Sequence, residues 1–154
     1  MNPSSNLGAG TNFMKKLLAA VLLSLILAFP ASPRRHASQG IIIEIHAKTD
    51  YESNRLKRLS DKLNFTGQAM VPWWRIIVLN KPDWTDALIK YNLEGRTDSA
   101  FTVLGQNVTY VNEEYLFFAS DSQAEFTLAH EAGHMICGCM SEDIANKIGK
   151  ILEK

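Results

Sequence analysis

The sequence predicts an α+β domain with a small mixed β-sheet, a helix that carries a histidine pair and a C-terminal helix, and three observations carry that expectation. Runs rich in β-branched and aromatic residues near Gly40–His46 and Trp74–Leu79 read as buried strands. A short break at Gly105-Gln106-Asn107 between Ala100–Leu104 and Val108–Asn112 has the spacing of a β-hairpin. From Asp121 onward the apolar spacing changes from two to about 3.6 residues, the period of a helix. The resulting order of strand, helix, strand, hairpin, helix, helix has no internal repeat and fits an α+β fold.

Each element has its own local signal. Between the first two strands, Asp50 can cap a helix whose Leu56, Leu59 and Leu63 share one face, with Arg55, Lys57, Arg58 and Lys62 read as solvated. Gly67 and Pro72 punctuate a loop. Trp84–Tyr91 reads as a short helix capped by Asp83, and the hairpin that follows leaves one strand near a sheet edge. The helix from Asp121 or Ser122 is stopped by Gly138, and Ser141 can cap a last helix with Ile144, Ile148 and Ile151 on one face. Trp73, Trp74 and Trp84 are assigned to the core or to a pocket rim.

Residues 1–39 are set apart as an N-terminal extension with a signal peptide or anchor, leaving residues 40–154 as one domain. Met14-Lys15-Lys16 is a basic start, and Leu17–Phe29 is an apolar run too short to span a membrane comfortably. Met14 is therefore the expected start of a secretory signal, and Met1–Phe13 an overrun. Pro30-Ala31-Ser32-Pro33 lacks a clear Ala-x-Ala cleavage pair, so an uncleaved anchor stays open. The chain is expected to be exported, periplasmic or secreted, and to meet a membrane only through this segment. Sixteen basic residues balance sixteen acidic ones, which denies the chain the positive field of a nucleic-acid binder. A monomer acting on a peptide or protein substrate is expected instead. Cys137 and Cys139 stand one residue apart, and a bridge that short reads as strained, so both are taken as free thiols or buried small apolar residues.

The chemistry concentrates on Thr127-Leu128-Ala129-His130-Glu131-Ala132-Gly133-His134-Met135-Ile136. His130 and His134 are four apart, so on a helix both imidazoles leave one face and can grip a single metal ion. Glu131 stands beside them as a general base. Zinc in such a site acidifies water and polarises a scissile carbonyl, while the carboxylate carries the proton to the departing amine. Two histidines leave a catalytic zinc short of a third protein ligand, and Glu142 is the candidate, with Asp143 as competitor.

With Ser141-Glu142-Asp143-Ile144-Ala145-Asn146 on the next helix, the chain resembles the gluzincin class of zinc metallopeptidases, minimal gluzincins and ImmA/IrrE-type peptidases in particular. There Glu-x-x-Ala-Asn supplies the third ligand. The resemblance covers roughly 100–149 and is specific at the two motifs. It implies a zincin-like domain, Glu142 as ligand, Asn146 as partner of an imidazole, and an edge strand near Ala100–Val103 that pairs with an extended peptide. Just seven residues separate His134 from Glu142, a shorter connection than gluzincins usually have. A catalytically weak, zinc-stabilised regulatory protein of the same fold is the alternative, and an intact Glu131 favours the enzyme. Tyr110 and Tyr115 are candidates for steadying an oxyanion or for packing, and His46 is read as a satisfied strand residue and His36 as part of the leader.

Overall fold

The computed structural model describes residues 34–38, 41–68, 71–97 and 99–153, the first of these by backbone only. The leader, the start at Met14 and the cleavage site lie outside the described residues.

The described chain is α+β. Its strands are β1 (Arg34–Ser38), β2 (Ile41–His46), β3 (Trp73–Leu79), β4 (Ala100–Val103) and β5 (Val108–Asn112). They form one mixed sheet in the order β1-β2-β3-β5-β4. β2, β3 and β5 run parallel, while β1 and β4 pair antiparallel at the two edges. β1 falls within the segment read as leader, and its backbone pairs with β2 from Arg34 opposite Ile45 to Ser38 opposite Ile41. The helices are α1 (Asp50–Ser60), α2 (Lys81–Tyr91), α3 (Glu113–Phe118), α4 (Asp121–Cys137) and α5 (Glu142–Leu152).

Side-chain alternation along the strands divides the molecule into two layers. Ile43, Ile45, Trp74, Ile76 and Val111 face one way and meet Leu56, Leu59, Leu63, Leu128 and Leu152 in the main core. Burying each such side chain contributes on the order of 1.5–3 kcal/mol before entropy is counted. On the opposite face Phe101, Tyr110 and Leu79 pack with Trp84 and Tyr91 of α2 in a smaller cluster. Trp73 is half-buried, with the Arg75 guanidinium 5.2 Å from its ring centre.

Several local readings need correction. Thr49, not Asp50, caps α1, because Thr49 and Glu52 form a reciprocal capping box that Asp50 cannot make with Ser53. Asn80, not Asp83, caps α2, which starts earlier than expected with Pro82 in its first turn. Helix α3 was not foreseen: at six residues it is too short to show a period, although Asn112 caps it and Glu113 and Glu114 suit its first turn. Arg55 is buried rather than solvated, donating to the backbone carbonyls of Leu116 and Ala119 and to Asp121. Cys137 and Cys139 form a disulfide across Gly138, whose left-handed backbone (φ 59°) brings the two Cα atoms to 5.1 Å. Neither cysteine is a free thiol.

Candidate metal centre

α4 is a 17-residue helix with its own local logic. Ser120 and Gln123 form a capping box at its start, and Gly138 ends it in the left-handed conformation. Along it Leu128, Ala129, Ala132 and Met135 face the core, which leaves His130 and His134 one turn apart on the side of an open cleft.

What brings a third donor to this pair is close helix packing. A side chain at Gly133 would collide with the Ala145 carbonyl of α5, and its Cβ would stand 3.0 Å from Ala145 Cα. A Cβ at Gly149 would stand 3.1 Å from the Ala129 carbonyl carbon. With Ala129 and Ala145 fully buried between them, the backbones approach as closely as small residues permit. The buried face of α5 is thus Ala145, Gly149 and Leu152; of the three isoleucines that share a face in the sequence, Ile148 packs partly buried against the core while Ile144 and Ile151 are exposed. The turn at Gly138 and this close approach let a seven-residue connection carry Glu142 back over the histidines.

The separations are short. His130 Nε2 lies 3.1 Å from His134 Nε2 and 3.0 Å from Glu142 Oε2, and His134 Nε2 lies 3.5 Å from Glu142 Oε1. Asp143, the competing carboxylate, is exposed one residue further on and is not part of the cluster. On the far side of each ring, His130 Nδ1 is 2.9 Å from Asn146 Oδ1, and His134 Nδ1 is 2.9 Å from the Cys139 carbonyl. Both partners accept, so each neutral imidazole is assigned its proton on Nδ1 and turns a bare Nε2 inward. With both rings in that tautomer, two nitrogen lone pairs and a carboxylate converge on one point. That donor set repels itself unless a cation lies within it, and the cluster could hold a metal ion. Ligands at about 2.0–2.1 Å around a tetrahedral zinc stand roughly 3.3 Å apart, close to the observed edges.

Glu131 lies outside this triangle. It is 5% exposed, and its Oε2 is buried without a hydrogen-bond partner. Burial pushes its carboxyl above the ordinary glutamate range, against the pull of a Thr102 hydrogen bond and the neighbouring imidazoles. A buried carboxylate with an open acceptor beside a three-donor cluster is suited to taking a proton from water at that place.

The cleft has a volume of about 530 Å³. Edge strand β4 forms one wall through Ala100 and Thr102, and Phe126, Arg96 and Met140 contribute to the rim. Glu142 is 72% exposed, so the cluster opens to solvent on the cleft side. Thr102 was missed in the sequence, where it is one more β-branched strand residue. The Cys139 carbonyl was missed because a backbone acceptor leaves no residue signature. Tyr110 packs with Tyr91 and Phe101, and the Tyr115 hydroxyl meets Thr127 Oγ1 at 2.7 Å; neither tyrosine lines the cleft. His46 lies in β2 with a buried Nε2 that has no partner, so it is not the satisfied residue expected.

No family model, curated protein or solved structure matches the chain.

Proposed function

We propose that this chain is a zinc-dependent metallopeptidase of gluzincin-like type, hydrolysing peptide bonds in an extended segment. The observation that carries the reading is the placement of Glu131: a buried carboxylate with an unpartnered Oε2, next to His130, His134 and Glu142 at the base of an open cleft. Two imidazoles and one carboxylate are donors that suit zinc, and three protein ligands leave a position open, as catalytic zinc requires. A zinc ion held there supplies Lewis acidity, acidifying water toward neutrality and polarising a carbonyl.

The remaining work falls to the chain itself. Asn146 and the Cys139 carbonyl fix both imidazole orientations through Nδ1. Glu131 accepts the proton of the attacking water and returns it to the leaving amine. Edge strand β4 offers main-chain groups to an extended substrate, and the aromatic and aliphatic rim gives its side chains apolar contacts. The Cys137–Cys139 disulfide suits an oxidising compartment, in line with the export reading of the leader.

Paired substitutions separate chemistry from metal binding. Glu131→Gln is expected to retain one zinc per chain while peptide-library turnover falls on the order of a hundredfold to ten-thousandfold. Glu142→Ala is expected to release zinc to a chelator much faster than the parent, with a lower melting temperature. Asp143→Ala should do neither. Undiminished cleavage by Glu131→Gln, or zinc loss from Asp143→Ala in place of Glu142→Ala, would overturn the assignment.

A further inference from the structure

A row of polar groups crosses the core face of the sheet beneath the metal centre, in a place where apolar side chains would otherwise be expected. Trp74 on β3 and Thr109 on β5 are both fully buried. Trp74 Nε1 donates to Thr109 Oγ1 at 2.9 Å, and Thr109 Oγ1 stands 2.7 Å from Thr102 Oγ1 on β4. Thr102 Oγ1 in turn donates to the backbone carbonyl of Glu131 at 3.3 Å.

The two ends of this row fix its direction. An indole N–H only donates, so the Thr109 oxygen is the acceptor at the first step. The backbone carbonyl of Glu131 only accepts, so the Thr102 hydroxyl is the donor at the last step. Thr102 therefore accepts from Thr109, and every O–H in the chain points toward Glu131. Aligned donors in a low-dielectric interior polarise one another, which strengthens the final bond. With the Glu131 side chain buried and its Oε2 unpartnered, the Thr102 bond to the backbone carbonyl ties this residue of α4 to β4.

We infer that Thr102 is a positioning residue for the reaction, the last link of a directed hydrogen-bond chain from Trp74 through Thr109 that pins the main chain at Glu131 and so sets where its carboxylate stands in the cleft. The inference rests on the peptidase reading for its kinetic consequence. A displacement of about 1 Å in a reacting group lowers turnover up to roughly a hundredfold, so loss of the anchor acts on kcat. The metal ligands are other residues, and an extended substrate would pair with the β4 main chain, which a substitution of the Thr102 side chain leaves in place.

The test compares zinc-loaded full-length parent, Thr102→Val, Thr102→Ser and Thr109→Val on a peptide that the parent cleaves. Thr102→Val keeps the side-chain shape and removes the hydroxyl. It is expected to hold one zinc per chain and keep KM within about twofold while kcat falls roughly ten- to hundredfold. Thr102→Ser should recover most of kcat, and Thr109→Val should fall between the two. A purely structural role would lower the melting temperature without this split between kcat and KM and without rescue by serine. The second readout is the ¹³C carboxyl resonance of Glu131, assigned by its disappearance in Glu131→Gln. It should move in Thr102→Val and return in Thr102→Ser. An unchanged resonance in Thr102→Val, or unchanged kcat with an active parent, overturns the inference. A parent that cleaves no peptide overturns the peptidase reading instead, and the resonance then decides the relay by itself.

Discussion

The two helices that flank α4 hold it by opposite means. α5 touches it through absent side chains: Gly133 against Ala145 and Gly149 against Ala129, with backbone atoms where a Cβ would need to be. α1 and the turn that follows it reach the start of α4 through long charged side chains, Arg55 and Arg58 to Asp121 and Lys62 to Glu125, with nitrogen–oxygen distances of 2.9, 2.8 and 2.6 Å. The first seam is dry and rigid and lies where His130, His134, Glu142 and Asn146 must agree within tenths of an ångström. The second is largely wet and secures the start of α4, where a small shift changes no ligand distance. The difference teaches that precision at the metal centre comes from packing without slack, and that the ionic seam serves stability.

Breaking the dry seam should have the largest effect. Gly133→Ala places a methyl group against the Ala145 carbonyl, which belongs to backbone and cannot rotate away. The expected cost is about 3 kcal/mol, at the upper end for overpacking, even though alanine favours a helix over glycine by about 1 kcal/mol. Because relief requires α5 to move outward with Glu142 and Asn146, zinc affinity should fall together with stability. Urea unfolding and chelator competition on the same sample would show both. A variant that is less stable yet binds zinc as the parent does would separate the seam from the site.

Breaking the other seam at its one buried member should cost stability alone. Arg55→Met keeps much of the stem but leaves the Leu116 and Ala119 carbonyls without their charged donor, a loss of about 1.5–3 kcal/mol. The folded protein should bind zinc within about twofold of the parent, since no metal ligand leans on α1. A parallel loss of affinity would mean that α1 positions the site after all.

The seams also differed in how far they could be read from the sequence. The histidine pair was legible because helical spacing decides which residues share a face, Glu131 was named from its place beside that pair, and Glu142 and Asn146 were named from the resemblance of the next helix to gluzincins; α4 and α5 kept their expected limits at Gly138 and Ser141. The partner face of α5 was not legible. Hydrophobicity favours isoleucine over glycine as a core residue, but close approach of two backbones selects for size, so Gly149 and Ala145 are inside and Ile144 outside. Arg55 was misread for a related reason: its charge argues for solvent until the tertiary fold offers two orphan carbonyls at the end of α3. β2 to β5 were found from composition and hairpin spacing, whereas β1 fell in the segment set apart as leader, and the strand order, with β5 inside and β4 at the edge, depends on pairings that no local pattern encodes.

The smallest expected effect sharpens the contrast by its pH dependence. Asp121 receives hydrogen bonds from Arg55 and Arg58, and these guanidiniums hold its carboxyl below the ordinary aspartate range. A depressed pKa in the folded state means that the unfolded chain binds the proton more readily. The stabilisation is therefore fully present above the unfolded pKa, about 4, and is lost as the pH falls through the lower folded value. Asp121 is half exposed, so solvent screens the pair and the effect is modest. Asp121→Asn should melt slightly below the parent at pH 7, and the gap should close as the pH is lowered below the unfolded value of about 4. Added salt should narrow it at neutral pH as well, because exposed ion pairs are screened. Gly133→Ala, whose defect is steric, should show neither trend. A gap for Asp121→Asn that persists unchanged into acid and high salt would show that asparagine disturbs the start of α4 by geometry, and the ionic account of this seam would fail.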